Sequence, residues 1–233
     1  MNQHCRFLPA VTAVFVTSLL VSNIIAVKLI VVGPFVLTAA IIIFPVSYIF
    51  GDVLTEVYGY ARARQVIWIG FACNVLMVSA VYASMQMPPA PFWSAGSLPS
   101  AQASQQAFEA VLGIAPRLLA ASFAAYLVGE FINSYVMSRM KIISRGRHLW
   151  MRTITSTVAG QFADSAIFIL AAFVGQVPAD KLLPLILSQW IIKTLYEALA
   201  TPLTYMVVFY LKKSEKVDFY DYETNYNPLR WNE

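Results

Sequence analysis

The sequence predicts an all-α integral membrane protein of six transmembrane helices, with both termini cytoplasmic. Three observations predict it. Hydrophobic residues make up 59% of the 233 and charged residues only 12%, where a typical soluble domain carries about 25% charged residues. Mean hydropathy is +0.65. A spanning helix needs about 20 mostly apolar residues, and six such runs occur, near 7–32, 35–57, 65–87, 114–138, 154–176 and 183–211. Basic residues, finally, gather in alternate connections: Arg62 and Arg64 after the second run, Arg139, Lys141, Arg145, Arg147 and Arg152 after the fourth, and Lys212, Lys213 and Lys216 after the sixth. The intervening connections hold Lys181 and no Arg. Lys and Arg favour the cytoplasmic side, which sets the orientation.

The first run follows only Arg6, outlasts a signal-peptide core and ends without a small-x-small cleavage site, so it reads as a retained span. Ser22 and Asn23 place neutral polar groups in it, and Lys28 near its outer end can snorkel. In the second run Tyr48, Asp52 and Glu56 recur every four residues and so share one helix face. The third run carries Cys73 and Asn74. Cys5 and Cys73 give neither a disulfide framework nor a metal-ligand spacing, and no metal site is predicted.

Pro88, Pro89, Pro91, Gly96 and Pro99 make the next connection a loop, because proline removes a donor and clashes with the preceding turn. A short surface helix over 101–111, free of breakers, leads into the fourth run. There Tyr126, Glu130 and Ser134 align with Asn133 beside them; the fifth run stacks Thr157, Gln161, Asp164 and Ser165; the sixth aligns Gln189, Lys193, Glu197 and Thr201, with Tyr196 adjacent. Beyond it lies an acidic and aromatic tail. The predicted organisation is a transmembrane domain over 1–213 and a cytoplasmic tail over 214–233.

A charge at the centre of a spanning helix costs roughly 2.5 to 3.5 kcal/mol, so intramembrane charges tend to face a bundle interior and mark substrate or ion paths. Glu130, Asp164, Lys193 and Glu197 fall at one depth near the midplane. As an exposed i,i+4 pair Lys193 and Glu197 would add only about 0.2 to 0.5 kcal/mol, and in hydrocarbon pairing often fails to offset desolvation. A polar binding site accounts for them better. Three acids against one lysine suit a cationic or donor-rich ligand, or a protonated acid. Asp52 and Glu56, nearer Arg62 and Arg64, read either as a cytoplasmic-side salt-bridge cluster or as gating and coupling groups, with Tyr48 on the same stripe.

The pI near 9.1 reflects the basic cytoplasmic connections rather than nucleic-acid binding. No phosphate loop of the G-x-x-x-x-G-K-[ST] type occurs, nor H-E-x-x-H, nor G-x-S-x-G, and His4 and His148 lie at the ends of spans. No enzyme activity and no cofactor are predicted.

Phe44-Pro45-Val46-Ser47-Tyr48, followed by Asp52-Val53-Leu54-Thr55-Glu56-Val57-Tyr58-Gly59 and Ala61-Arg62-Ala63-Arg64, resembles the queuosine-precursor transporter family, also described as vitamin-uptake transporters. So do Ser22-Asn23-Ile24-Ile25-Ala26, Gly129-Glu130-Phe131-Ile132-Asn133-Ser134, Gly160-Gln161-Phe162-Ala163-Asp164-Ser165 with Phe168, Lys193 with Pro202 and Tyr205, and the Asn-x-Asn-Pro ending at Asn225 to Pro228. The resemblance covers essentially the whole chain. It implies a six-helix carrier of the inner membrane that imports a nucleobase such as preQ0, preQ1 or queuine for tRNA modification.

On this reading the substrate-binding candidates are Glu130, Asn133, Gln161, Asp164, Lys193, Glu197, Tyr126, Phe168, Tyr196 and Asn23. Asp52, Glu56, Tyr48 and Arg62 are the gating or coupling candidates. A carboxylate can accept the ring N–H and amino group of a guanine-type edge together, Gln161 or Asn133 can donate to its carbonyl, and aromatic stacking is worth about 1 to 3 kcal/mol per base. The partners implied are the nucleobase, the lipid bilayer and a coupled proton carried by Asp164 or Glu130. Facilitated diffusion needs no such proton. Two alternatives stay open: a substrate-binding membrane subunit served by a separate ATPase, and a membrane-embedded enzyme or assembly factor. Neither the oligomeric state nor the choice among the three bases follows from the sequence.

Overall fold

The computed structural model describes residues 5–32, 35–113 and 116–230. Outside these lie His4, the Gly33-Pro34 connection and the first two residues of the fourth predicted run. Among the described residues seven α-helices follow in order: α1 Leu8–Ile25, α2 Phe44–Tyr58, α3 Tyr60–Met85, α4 Ala101–Leu112, α5 Pro116–Ile143, α6 Leu149–Phe173 and α7 Ala179–Glu215. Of these α1, α3, α6 and α7, and the stretch Ala101–Ile143 that contains α5, are long and apolar enough to cross a membrane. The chain is therefore a multi-pass helical membrane protein.

The first two runs depart from continuous helix. Between α1 and α2 the chain forms two antiparallel strands, β1 Leu29–Val32 and β2 Phe35–Thr38, paired Leu29 with Thr38 through Val32 with Phe35. A 3-10 turn over Ala39–Ile42 follows. Short, mostly apolar strands and buried helix cannot be told apart by periodicity, so both runs read as helix over their full length. The remaining helix, α2, has 15 residues and rises about 22 Å at 1.5 Å per residue, short of a hydrocarbon core about 30 Å thick. Irregular backbone at membrane depth is tolerated where it is covered by protein or lines a cavity. Thr38 of β2 and Ile41 of the 3-10 turn meet that condition by lining the cavity described below.

α2 starts with Pro45 in its first turn, where a missing N–H costs nothing, and it packs among α1, α3, α5 and α7 with residues 51–60 all buried. It ends at Gly59, whose φ of +84° lies in the region open to glycine. A side chain there would also strike Phe219 of the tail, 2.4 Å from an added Cβ.

α5 and α6 form the closest helix pair. An added Cβ on Gly160 would lie 2.8 Å from the Asn133 Cβ and 2.9 Å from the Gly129 carbonyl oxygen, and one on Gly129 would lie 2.9 Å from the Asp164 Cβ. Small residues let membrane helices approach where no hydrophobic driving force separates protein from lipid. The crossing of Gly129 and Gly160 sets Glu130 and Asn133 beside Gln161 and Asp164.

Helix α4 begins where Ser100 Oγ accepts the Ala103 N–H at 3.1 Å, an N-cap. The 37 residues of α7 run through Pro184 and Pro202. The tail packs across the end of the bundle that carries both termini, and the β1–β2 hairpin lies at the opposite end.

Candidate functional site

A cavity of about 480 Å³ opens among α1, the 38–48 segment, α5, α6 and α7, within the size range of small-molecule sites. On each of these helices its lining residues run from about the middle toward the hairpin end: Phe15 to Asn23 on α1 with Ala26 just past it, Ser47 and Tyr48 on α2, Ser122 to Asn133 on α5, Gly160 to Ile169 on α6 and Leu185 to Tyr196 on α7. Toward the termini the same helices close on a core of Val53, Leu54, Val57, Met137, Val208 and Leu211. The cavity is one-sided.

Glu130, Asn133, Gln161, Asp164, Lys193, Tyr126, Phe168, Tyr196 and Asn23 all line it, and so does Tyr48, which the sequence placed with the gating groups. Glu197 does not. It is buried one turn further toward the termini, in side-chain contact with Asp52 and Thr157. Lys193 consequently pairs across helices with Asp164 rather than along its own helix with Glu197. That pairing leaves Glu130 as the one cavity carboxylate without a hydrogen-bond or ion partner among the described residues.

Several cavity groups are held in place by protein bonds. Asn133 Nδ2 donates to Asp52 Oδ1 at 3.1 Å, which fixes the amide orientation and leaves Asn133 Oδ1 without a partner. Tyr126 Oη donates to the Ile67 carbonyl at 3.1 Å, Tyr196 Oη to the Ile41 carbonyl at 2.6 Å, and Asn23 Nδ2 to Asn74 Oδ1 at 2.6 Å. Gln161 Oε1, Gln189 Oε1 and Ser47 Oγ are buried and unpartnered like Asn133 Oδ1. Buried polar atoms are nearly always hydrogen-bonded, so this group of mostly acceptors around Glu130 suits a ligand rich in N–H donors. Gln189 and Ser47 had a sequence signal, the first on the Lys193 stripe and the second beside Tyr48. Thr38 and Ile41 had none, because they sit on the last residue of β2 and on the 3-10 turn, inside what reads in sequence as one helix.

The remaining gating candidates lie at the closed end. Glu56 is fully buried and accepts from Arg152 at 2.7 and 3.2 Å and from Lys212 at 2.6 Å, with Lys141 at 3.9 Å. Its partners come from α5, α6 and α7. Arg62 and Arg64, the neighbours in sequence, take other positions because α3 turns away from α2 at Gly59. Arg62 is exposed in a groove against α1, and Arg64 donates to the Asn225 and Asn227 carbonyls at 2.8 and 2.9 Å.

The tail closes over this cluster. Lys141 Nζ donates to the Glu56 and Phe219 carbonyls, each at 2.6 Å, and pairs with Asp218 at 2.6 Å; Lys212 pairs with Asp218 at 2.8 Å. Partial burial pushes the Asp218 carboxyl up, but hydrogen bonds from Lys141 and Lys212 outweigh it and hold the group below the usual carboxylate range. Asp221 accepts from the Tyr60 N–H at 3.0 and 3.1 Å, from Ser138 at 2.6 Å and from Thr224 at 2.8 Å.

Residues 38–207 match the family model described as "Putative vitamin uptake transporter". Over 155 residues the chain is 32% identical to a Bacillus subtilis (strain 168) protein named "Probable queuosine precursor transporter". That match covers 66% of this chain and 64% of the relative, so it spans a little under two thirds of the relative's length. No solved structure matches the chain. The family model accounts for most of the chain, and this multi-pass bundle, with a cavity that charged and amide side chains help to line, belongs to the family described as "Putative vitamin uptake transporter".

Proposed function

We propose that the protein imports a queuosine precursor, a 7-deazaguanine such as preQ0 or preQ1 or the base queuine, across the inner membrane, with both termini cytoplasmic. The observation that carries the reading is the one-sided cavity in which Glu130 and unpartnered amide oxygens surround space for a planar base. A guanine-type edge presents a ring N–H and an amino group side by side, and a carboxylate accepts both. Glu130 takes that role, and Asn133 Oδ1 and Gln161 Oε1 accept further donors. Tyr48, Tyr126, Phe168 and Tyr196 supply faces for stacking, and Lys193, held by Asp164, is the donor for the ring carbonyl. Asp164 neutralises Lys193, which leaves Glu130 as the acid available to an aminomethyl cation when the base has one.

The name of the Bacillus relative supports the substrate class. The test is a strain unable to make the precursor, supplied with preQ0, preQ1 or queuine, with and without this gene. Queuosine in tRNA is expected to return only with the gene. Its failure to return with all three bases would overturn the substrate and leave the membrane fold untouched. Accumulation by the purified chain in liposomes, without a nucleotide-hydrolysing partner, is the outcome that separates a self-sufficient carrier from the substrate-binding subunit of an ATPase system.

A further inference from the structure

A carrier must expose one site alternately to two sides, so the end that is shut must be closed by contacts that can part. The shut end here is built from charges. Glu56 sits beneath the cavity, fully buried, with Arg152 of α6, Lys212 of α7 and Lys141 of α5 converging on it. Asp218, from the tail beyond α7, joins Lys141 and Lys212 from the other side. Four helices are thereby tied at one level. Beside this cluster the closed end has apolar packing that includes Val57, Met137 and Leu211, and the Asp221 hydrogen bonds to Tyr60 and Ser138.

Desolvation makes buried ion networks poor sources of net stability. They do, however, give two discrete arrangements, paired when closed and solvated when open, which a bistable element requires. The tail is the one member of this cluster that lies outside the helix bundle, beyond the end of α7 at Glu215. It is held by hydrogen bonds from Arg64 and Tyr60, by Trp68 Nε1 donating to the Pro228 carbonyl at 2.8 Å, and by Asp221 on Ser138. None of these involves the cavity, and the Asp218 side chain is partly exposed at 44%.

We infer that the Glu56–Arg152–Lys212–Lys141–Asp218 cluster is the gate on the terminus side of the transport path, with the C-terminal tail as the strap that keeps it shut. The structure is then the state open toward the hairpin end. Release requires Arg152 and Lys212 to part from Glu56 as α6 and α7 move away from α2, and lifting Asp218 off Lys141 and Lys212 lowers the barrier to that motion. The inference rests on the transport reading but not on the identity of the transported base.

The test uses the full chain with Cys5 and Cys73 replaced by serine and Ser122→Cys as a reporter on the cavity wall. Charged methanethiosulfonate reagents are applied to sealed vesicles of each orientation, and a C-terminal tag open to added protease marks the terminus side. Without gate changes, modification is expected from the hairpin side only. Asp218→Asn, or removal of residues 216–233, is expected to admit reagent from the terminus side about tenfold faster by shifting the closed–open equilibrium. Glu56→Gln is expected to do so as well. Asp218→Asn keeps the test usable if Glu56→Gln fails to fold, since that position is half-exposed. Rates from the terminus side unchanged in Asp218→Asn and in the tail deletion would overturn the gate, whatever the effect on thermal stability. No deazaguanine is needed in this measurement, so its failure is separate from failure of the substrate reading.

Discussion

Gly160→Ala probes the contact that brings the cavity residues together. The added methyl would lie 2.8 Å from the Asn133 Cβ and 2.9 Å from the Gly129 carbonyl oxygen, where carbon atoms normally rest about 3.5 to 4.0 Å apart. Neither neighbour can rotate away, one being a Cβ and the other backbone, so α5 and α6 must separate by roughly 1 Å. Overpacking of this kind costs about 1 to 3 kcal/mol, and replacing a helical glycine by alanine returns about 1 kcal/mol. Stability should therefore fall by no more than about 2 kcal/mol, and folded protein should remain available. Function should suffer more. Shifting Glu130 and Asn133 about 1 Å from Gln161 and Asp164 breaks a hydrogen bond to a charged group, worth about 1.5 to 3 kcal/mol, so KM for uptake should rise about tenfold to a hundredfold. Gly51→Ala is the control, because its methyl meets Glu130 Oε2 and Phe15 Cε2 at an ordinary 3.5 Å; it should leave KM unchanged. Equal KM in Gly160→Ala and the unmodified chain would refute the claim that this helix crossing sets the site.

Glu130→Gln and Asp164→Asn are each expected to abolish uptake with membrane abundance unchanged, measured by labelled-base uptake and immunoblot; near-normal uptake in both would remove these residues from the site. Arg152→Gln breaks a buried pair, which typically costs about 3 to 5 kcal/mol, and since Lys212 at 2.6 Å still faces Glu56 the loss should lie at the low end, read by denaturant unfolding in detergent. Asp221→Ala leaves the buried Tyr60 N–H without its acceptor and the Ser138 hydroxyl with Tyr226 Oη alone, and should cost about 1 to 3 kcal/mol, seen as faster proteolysis of the tail. The folded Asp218 carboxyl lies below its unfolded value near 3.9, so its stabilisation is present above that pH and is lost as pH falls through the folded value. Asp218→Asn should flatten the acid limb of a stability–pH profile below about pH 4, and an unchanged limb would exclude Asp218 as a contributor.

Composition and hydropathy determined the membrane class, because burying nearly every residue of a span in hydrocarbon leaves no other composition open. The four-residue spacing of Tyr126 with Glu130, and of Gln189 with Lys193, placed those groups on common faces, since a helix carries its own geometry along the chain. What periodicity could not distinguish was an apolar strand from an apolar helix, and so the hairpin over Leu29 to Thr38 and the short α2 came only from the fold.

Partners of buried charges were likewise invisible. Glu56 had Arg62 and Arg64 within eight positions and took Arg152 and Lys212 instead; Lys193 had Glu197 one turn away and took Asp164. A charge in a low-dielectric interior is satisfied by whichever counter-charge the packing delivers to it, and sequence distance has no bearing on that. The sequence by itself determined which residues are too polar to face lipid. The tertiary structure alone decided their pairing and which part of the bundle holds the cavity, because both depend on how closely α5 and α6 cross and where the tail lies down.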